Sequence, residues 1–311
     1  MSRTSAPKLK VSIGVCVRNS AATLAEAIKS VVNQNFPHDL MELIFVDDGS
    51  EDKTLPIIKE YSSNIDLKVK IIHTAWSGLG HARNLVLSNA SGEYVVWLDG
   101  DMILSRDFVK QLVDFMEHNH TVAVAKGKQS LERGGNLLAT LETYSRAAGR
   151  MVDYNSEKGR HTALGTGGSI YRVAAILKAG GFDENLRRYG EDWDAEIRVR
   201  RAGWSLGTVD VKFSDYERHK ITWKSLWNRY WLRGFYSHYF LHKNQGLIKQ
   251  YRMSPPSAFL MGIVQSRKLF PLTNDRTVFL MPFPNALKSV AWNVGFMESH
   301  MKSYQPLQKS V

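Results

Sequence analysis

Apolar and polar residues alternate in blocks along the first third of the chain, and the blocks predict strands that alternate with helices. Apolar residues recur at helical spacing after the first apolar run, as at Leu24, Ile28 and Val31, with Thr23 as the expected N-terminal cap. Alternation of this kind predicts an α/β fold with a mostly parallel central sheet flanked by helices. Four short apolar runs have the length and the β-branched content of buried strands: residues 11–17, 43–46, 69–72 and 94–98.

Polar side chains directly follow three of these runs. Arg18 and Asn19 follow the first run, Asp47 and Asp48 the second, and Asp99 and Asp101 the fourth. Parallel sheets bind ligands beyond the carboxyl ends of their strands, so we expect these side chains to converge on one site. Asp47, which precedes Asp48, is expected to hold the turn.

Asp99 and Asp101 stand one residue apart at the end of a buried strand. Burying two carboxylates there is unfavourable unless a positive group meets them. Mn²⁺ or Mg²⁺ carrying phosphate oxygens is the partner that we expect, because these cations prefer oxygen ligands. A solvated Asp-Gly-Asp turn is the alternative that these residues alone leave open.

Charge and cysteine content narrow the class of protein. The 311 residues include 41 Lys and Arg against 30 Asp and Glu, a formal charge of +11. This excess favours an anionic partner such as a phosphate-bearing ligand, a nucleic acid or an anionic membrane surface. Cys16 is the only cysteine, which excludes an intramolecular disulfide and fits a reducing compartment. Residues 1–10 contain no apolar signal segment, so we expect a cytoplasmic protein, with peripheral attachment to the inner face of the membrane as a further option.

A change in composition near residue 216 predicts two domains. We expect an α/β domain over residues 1–215 and a helical extension, rich in aromatic and basic residues, over residues 216–311. Residues 216–252 have three interpretations: a helical subdomain with solvated charges, a membrane-surface segment, or a nucleic-acid-binding segment. No nucleic-acid-binding motif is present, so we expect no nucleic-acid partner.

Eight short motifs occur together in one order: VSIGVCVRN (11–19), SVVNQNFP (30–37), FVDDGS (45–50), HARN (81–84), SGEY (91–94), LDGD (98–101), GGFD (180–183) and GED (190–192). This ordered set resembles the family-2 glycosyltransferases, which are inverting enzymes of the GT-A fold. The resemblance covers about residues 10–235, and Cys16 stands where the family usually has proline. The Q-x-x-R-W motif of processive synthases does not occur, so the resemblance implies transfer of a single sugar.

The resemblance implies a nucleotide-sugar donor, with a UDP-sugar favoured, and a lipid-linked or glycan acceptor. It implies that Val17, Asn19 and Asp48 line the pocket for the base. Arg83 would neutralise the diphosphate or brace the aspartates, and Asp99 would face the ribose or share the metal.

The resemblance also implies a metal ligand, a base and an acceptor pocket. Asp101 would hold Mn²⁺ or Mg²⁺, and His219 would complete its ligand shell. Asp192 would be the general base, with Glu191 as the second candidate and as a residue that orients the acceptor. Four residues would form the acceptor pocket: Thr166, Gly167 and Gly168 as its floor, and Trp193 stacked on a sugar ring.

Two other functions fit parts of the sequence. A nucleotidyltransferase that makes sugar nucleotides would need a glycine-rich loop with a basic residue directly after the first strand, and residues 18–21 do not supply one. A non-catalytic basic binding protein could retain the same fold. It is disfavoured because Asp99, Asp101 and Asp192 are all present.

Overall fold

The computed structural model describes residues 9–149, 163–215, 219–244 and 254–302, and these divide into two compact units. The boundary that we predict between residues 215 and 216 stays a prediction. The described part of the first unit is formed by residues 9–128, 163–187 and 191–213. The described part of the second is formed by residues 129–149, 188–190, 214–215, 219–244 and 254–302.

The described residues form an eight-stranded sheet. Its strands are β1 (Val11–Val17), β2 (Met41–Asp48), β3 (Lys68–Thr74), β4 (Tyr94–Trp97), β5 (Ile103–Leu104), β6 (Val122–Gln129), β7 (Ser169–Arg172) and β8 (Ser205–Ser214). Their order across the sheet is β3-β2-β1-β4-β7-β6-β8-β5. β1 pairs in parallel with β2 and β4, and β2 pairs in parallel with β3. β7 is antiparallel to both β4 and β6.

The parallel strands bring the predicted polar ends together. Val17 at the end of β1 lies beside Asp47 in β2, and Gly14 of β1 lies beside Trp97 at the end of β4. The chain leaves all three strands at the same edge of the sheet, and the convergence of their polar side chains on one site stays a prediction.

Ten α-helices are described in the two units. They are α1 (Leu24–Val32), α2 (Thr54–Ser62), α3 (Leu79–Asn89), α4 (Phe108–His118), α5 (Leu137–Gly149), α6 (Val173–Lys178), α7 (Glu191–Arg201), α8 (Trp223–Lys243), α9 (Pro255–Thr273) and α10 (Pro282–Met301). Short 3-10 helices span His38–Leu40 and Arg276–Leu280. Within these described helices, none is both long enough and apolar enough to cross a membrane.

The core of the first unit lies between the parallel strands and the helices beside them. Val11, Ile13 and Val15 of β1 are fully buried. The apolar side of α1, which includes Leu24 and Ile28, packs in the same cluster as these strand residues. Every second residue of the strand and every third or fourth residue of the helix therefore point into one shared apolar core. The α/β class that the sequence predicts is confirmed.

The second unit is built from helices that approach one another closely. Thr222 caps α8, since its hydroxyl accepts a hydrogen bond from the Ser225 backbone N–H at 3.1 Å. A Cβ added at Gly234 of α8 would collide with the carbonyl oxygen of Trp292 in α10. Glycine at this position therefore allows the two helix backbones to pack together.

Buried charges link three helices of this unit. The carboxylate of Glu142 in α5 pairs with Lys288 Nζ of α10 at 2.9 Å and accepts a hydrogen bond from the Tyr230 hydroxyl of α8 at 2.8 Å. Glu142 is almost completely buried. Such a pair favours one arrangement of the helices, because removing either partner would leave a buried charge unpaired.

Candidate active site

The Asp99-Gly100-Asp101 turn follows β4 directly. Asp99 is exposed and Asp101 is half-buried. The Thr23 hydroxyl, just before α1, donates a hydrogen bond to the Gly100 carbonyl at 2.7 Å. The prediction that Thr23 caps α1 is wrong, because its side chain makes no capping bond there. Its hydroxyl instead ties the start of α1 to the turn that carries both carboxylates.

The glycine-rich segment 165–169 packs against this turn. A Cβ added at Gly167 would lie 2.5 Å from Asp99 Oδ2, so the bare backbone of Gly167 leaves room for this carboxylate. The Gly168 backbone N–H donates to the Trp97 carbonyl at 3.0 Å, which fixes the segment to the end of β4. Gly168 has a φ of 72°, a conformation that favours glycine.

The two carboxylates fit a cation that also binds phosphate. Among the described residues, no group of three or more His, Cys, Asp or Glu side chains could hold a metal ion. A cation at this turn would therefore take protein ligands from Asp99 and Asp101 and the others from phosphate oxygens or water, as Mg²⁺ commonly does.

The two carboxylates at the end of β2 hold the loops around them. Asp47 is fully buried, with Oδ2 at 2.9 Å from His73 Nδ1 and Oδ1 accepting from the Ser50 backbone N–H at 3.2 Å. The expectation that Asp47 holds the turn is therefore confirmed. Asp48 accepts from the backbone N–H groups of Ser77 at 2.7 Å and Gly78 at 2.9 Å. A contact of Asp48 with a base stays a prediction, for which each oxygen retains acceptor capacity.

Val17 and Asn19 connect β1 to neighbouring loops. Val17 is buried in the core, and a Cβ added at Gly100 would lie 2.8 Å from its Cγ1. Asn19 has a φ of 51°, which asparagine tolerates, and its Oδ1 accepts from the Glu51 backbone N–H at 2.9 Å. The structure thus places both residues at the predicted edge, and their contact with a nucleotide stays a prediction.

Arg187 joins Arg18 at this edge, and only Arg18 was expected there from the sequence. The guanidinium carbons of Arg18 and Arg187 lie 5.3 Å and 5.4 Å from the centre of the Trp76 ring. Arg18 also donates to the Gly49 carbonyl at 3.3 Å, next to Asp48. These cation–π contacts hold two positive charges near the ends of β1 and β2.

Arg83 and Glu191 form a buried ion pair between α3 and α7. Burial raises the pKa of Glu191, and the positive charge of Arg83 opposes that rise. Burial alone would lower the pKa of Arg83, but the negative charges of Glu191 and Asp192 raise it overall. Arg83 thus fixes the start of α7, and its predicted contact with a diphosphate stays a prediction.

Asp192 lies next to Glu191 in the first turn of α7 and meets the glycine-rich segment. Its Oδ2 accepts from the Thr166 backbone N–H at 3.3 Å, and its Oδ1 accepts from the Trp193 backbone N–H at 2.8 Å. A Cβ added at Gly165 would lie 3.2 Å from Asp192 Oδ2. One short segment of backbone therefore contacts Asp99 at one end and Asp192 at the other.

Glu196 and Lys126 also hold this segment, and the sequence alone gave neither a predicted role. Glu196 is buried and accepts from the backbone N–H groups of Leu164 at 2.6 Å and Gly165 at 2.8 Å. Burial and then the charge of Asp192 raise the pKa of Glu196. The Lys126 ammonium, buried in β6, donates to the Gly165 carbonyl at 2.9 Å. Two features of the sequence could have identified these residues: the four-residue spacing of Asp192 and Glu196, and the presence of a lysine within an apolar strand.

Trp193 and His219 are two further residues for which the sequence predicts a role at the site. Trp193 is half-buried in α7, and its stacking on a sugar stays a prediction. His219 is exposed just before α8 in the second unit, and its metal role also stays a prediction.

Comparison with known proteins identifies the family and the fold. The model of the family described as "Glycosyl transferase family 2" matches residues 12–177. The poly(ribitol-phosphate) β-N-acetylglucosaminyltransferase TarS of Staphylococcus aureus is 34% identical over 113 residues, which cover 36% of this chain and 20% of TarS. The probable glycosyltransferase YdaM of Bacillus subtilis is 26% identical over 286 residues, which cover 84% of this chain and 66% of YdaM. The chain thus spans only a fifth to about two thirds of these relatives.

Solved structures with the same fold have low sequence identity to the chain. The mannosyltransferase PcManGT of Pyrobaculum calidifontis, in complex with GDP-Man and Mn²⁺, superposes with a TM-score of 0.61 at 18% identity, covering 94% of this chain and 88% of that one. TarS residues 1–349 in complex with UDP-GlcNAc give a TM-score of 0.51 at 19% identity, covering 95% and 92%. These likenesses confirm the expected GT-A fold. The family match extends over more than half of the sequence, and the chain therefore belongs to glycosyl transferase family 2.

Proposed function

We propose that the chain is an inverting glycosyltransferase that acts in the cytoplasm and transfers one sugar from a nucleotide-sugar donor to a hydroxyl of a lipid-linked or glycan acceptor. The observation that carries the proposal is the double contact of the glycine-rich segment, with Asp99 beside Gly167 and Asp192 bonded to Thr166. This arrangement supports a donor phosphate site and a base on either side of one short segment of backbone.

The donor would bind along the edge where β1, β2 and β4 end. Val17, Asn19 and Asp48 would contact the base, and the positive charges of Arg18 and Arg187 would attract the diphosphate. The relatives give no single donor, since the titles of the solved structures name UDP-GlcNAc for TarS and GDP-Man for PcManGT. We favour a UDP-sugar.

Asp99 and Asp101 would hold Mn²⁺ or Mg²⁺, in keeping with the exposure of Asp99 and with the close packing of Gly167 that positions its carboxylate. The chemistry supplied by a bound divalent cation is stabilisation of the negative charge that develops on the leaving diphosphate. With that charge stabilised, the protein would need no proton donor to the leaving group. PcManGT was solved with Mn²⁺, which supports the choice of metal for this chain.

Asp192 would be the general base. Its carboxylate would remove the proton of the acceptor hydroxyl as the hydroxyl oxygen attacks the anomeric carbon from the side opposite the diphosphate. The bond from the anomeric carbon to the diphosphate oxygen breaks, and the electron pair leaves with the diphosphate. The hydrogen bonds from the backbone N–H groups of Thr166 and Trp193 orient the Asp192 carboxylate.

Glu191 would have a positioning role beside this base. Its carboxylate is paired with Arg83 and buried, which suits it to orienting the first turn of α7 rather than to meeting an acceptor. Thr166, Gly167, Gly168 and Trp193 would contact the acceptor from the same side as Asp192.

Turnover of a donor panel tests the proposed function. The purified chain is incubated with UDP- and GDP-sugars and Mn²⁺ or Mg²⁺, and release of the nucleoside diphosphate is followed. We expect one or a few donors to be hydrolysed or transferred, and Asp101→Ala to abolish the metal-dependent part. Lack of both binding and turnover for every donor, with metal present, would contradict a glycosyltransferase. An Asp101→Ala variant with full activity would remove this residue from the mechanism.

A further inference from the structure

Helix α10 exposes an apolar stripe on one face. The exposed residues follow a spacing of seven, four, three and four, so they lie along one side of the helix. The other side packs on α8, where Trp292 meets Gly234. The stripe consists of Phe283, Val290, Val294, Met297 and Met301.

Helix α9 packs beside the start of this stripe. The rings of Phe259 in α9 and Phe283 in α10 pack edge to face with their centres 5.8 Å apart. A Cβ added at Gly262 would lie 2.6 Å from Pro282 Cα, so the first half of α9 runs against the start of α10. We call the combined surface the α9–α10 face. It consists of the α10 stripe, the exposed α9 residues Phe259, Leu260, Met261 and Val264, and the intervening Phe279 and Leu280.

These apolar side chains are not buried by the rest of the second unit. Leu260 and Met297 are each 62% exposed, and Phe283 is 61% exposed. Isolated exposed apolar residues are common on soluble proteins, but a contiguous patch across two helices marks a site of interaction. A partner of the α9–α10 face should match both its apolar side chains and the charges around it.

The charge of the chain is concentrated in the same part of the sequence. Residues 214–311 contain 14 Lys and Arg against 4 Asp and Glu, whereas residues 1–213 contain 27 against 26. Almost the whole formal excess therefore lies in the last third. Helix α9 contains no acidic residue, and its exposed Arg267 and Lys268 fall between the apolar Val264 and Leu272.

A lipid surface with anionic head groups matches both properties. Apolar side chains enter the boundary between head groups and acyl chains, while neighbouring lysines and arginines contact the anionic head groups. A second copy of this chain is the less suitable partner, because each copy would bring the same positive charge to the contact.

We propose that the α9–α10 face docks the protein onto the surface of a bilayer that contains anionic lipids. The surface differs from the one expected from the sequence, which was the aromatic and basic segment 216–252. This proposal does not depend on the sugar-transfer reaction. If the chain is a transferase, docking would bring it to a membrane that carries lipid-linked acceptors.

Vesicle flotation of the full chain tests the proposal. Vesicles of phosphatidylcholine alone are compared with vesicles that also contain phosphatidylglycerol. We expect flotation with the anionic vesicles and weakening by added salt. Leu260→Glu and Val294→Glu, on two helices of the face, should each lower the partition constant roughly tenfold or more. The matched control is Leu177→Glu, which changes an equally apolar residue, 51% exposed on α6, and should leave flotation unchanged.

Two further measurements distinguish the outcomes. Replacing both Arg267 and Lys268 by glutamate should reduce binding to anionic vesicles with little effect on the weaker binding to neutral ones. Sedimentation should show that the free chain is a monomer in the wild type and in Val294→Glu.

Absence of flotation, or equal loss in the Leu177→Glu control, would overturn the proposal. A dimer that Val294→Glu dissociates, with no vesicle binding, would assign the face to a second copy. Donor binding is measured in parallel and should be unchanged in all variants, so its absence would count against the transferase alone.

Discussion

Arg83 of α3 and Glu191 of α7, which are 108 residues apart in the chain, form a buried ion pair. The pair joins two short motifs that the sequence presents separately, and it fixes the first turn of α7. In the described structure, the second carboxylate oxygen of Glu191 is buried without a hydrogen-bond partner.

Breaking this pair should destabilise the protein. Arg83→Met leaves the Glu191 carboxylate buried without its cation, and we expect the free energy of unfolding to fall by about 3 kcal/mol. Glu191→Gln alone should also destabilise, because it leaves the guanidinium buried. Urea unfolding of the two single variants and the double variant gives the coupling energy.

The double variant should be more stable than the sum of the two single losses predicts. The surface pair of Lys128 and Asp210, at 3.1 Å between exposed side chains, is the matched control and should show little coupling. Strictly additive losses at Arg83 and Glu191 would mean that their contact does not stabilise the fold.

Gly167→Ala should weaken metal-linked donor binding. The new Cβ would lie 2.5 Å from Asp99 Oδ2, so the carboxylate must move from the position that we assign to the metal and ribose. We expect donor affinity in the presence of Mn²⁺ to fall about tenfold or more, a loss of about 1.4 kcal/mol or more in binding free energy. Calorimetric titration with the best donor measures it.

Gly203→Ala separates this effect from a general cost of adding a methyl group. Gly203 has a φ of 90° and nothing lies within 4 Å of an added Cβ. That variant should lose about 1 kcal/mol of stability to backbone strain and keep its donor affinity. Equal affinity losses at both glycines would argue against a role for the close packing of Gly167 on Asp99.

The stability of the second unit should depend on pH through Glu142. Burial alone would raise the pKa of Glu142, but the charges of Lys288 and then Arg146 lower it from 4.5 to about 2. Between about pH 2 and pH 4.5, the carboxylate is therefore charged in the folded protein, whereas it is protonated in the unfolded chain. Its contribution, about 3 kcal/mol, is present above pH 4.5 and is lost as the pH falls toward 2.

Unfolding measured between about pH 2 and pH 7 tests this dependence. Glu142→Gln should be less stable at neutral pH and should flatten the loss on acidification. Glu132→Gln, at an exposed glutamate of the same unit, is the control and should leave the profile unchanged. An unchanged slope in Glu142→Gln would show that other groups account for acid unfolding.

Asp192→Asn should separate donor binding from transfer. Asparagine retains an acceptor oxygen for a backbone N–H group but cannot remove a proton from the acceptor. We expect kcat to fall by about 10²–10⁴ with the donor dissociation constant nearly unchanged. Asp114→Asn, at an exposed residue of α4, should behave as the wild type. Equal losses of donor binding and turnover in Asp192→Asn would assign Asp192 to the donor site.

The sheet and its polar edge follow from patterns that are local in the sequence. The apolar run before Asp99 predicts a strand because its length and β-branched residues suit one, and β4 confirms it. Parallel pairing then brings the ends of β1, β2 and β4 to one edge. The short motifs sufficed to predict both the family and the GT-A fold.

Contacts between distant residues could not be predicted in this way. The packing of Gly167 against Asp99 and the bond from Thr23 to Gly100 depend on how loops approach one another in three dimensions. A threonine before a helix favours a cap by local rules, and the tertiary contact outweighs that preference here. The exposed apolar side of α10 could not be predicted either, because the spacing of apolar residues does not show which face of a helix the rest of the protein covers.

The most direct test of the account is the metal dependence of donor binding at the turn after β4. Calorimetric titration of the preferred nucleotide-sugar is carried out with and without Mn²⁺, on the wild type and on the double variant Asp99→Asn and Asp101→Asn, with Asp114→Asn as the control. We predict that Mn²⁺ strengthens donor binding in the wild type and the control and has no effect in the double variant. Mn²⁺-dependent binding of equal strength in the double variant would contradict the assignment of these carboxylates to the metal.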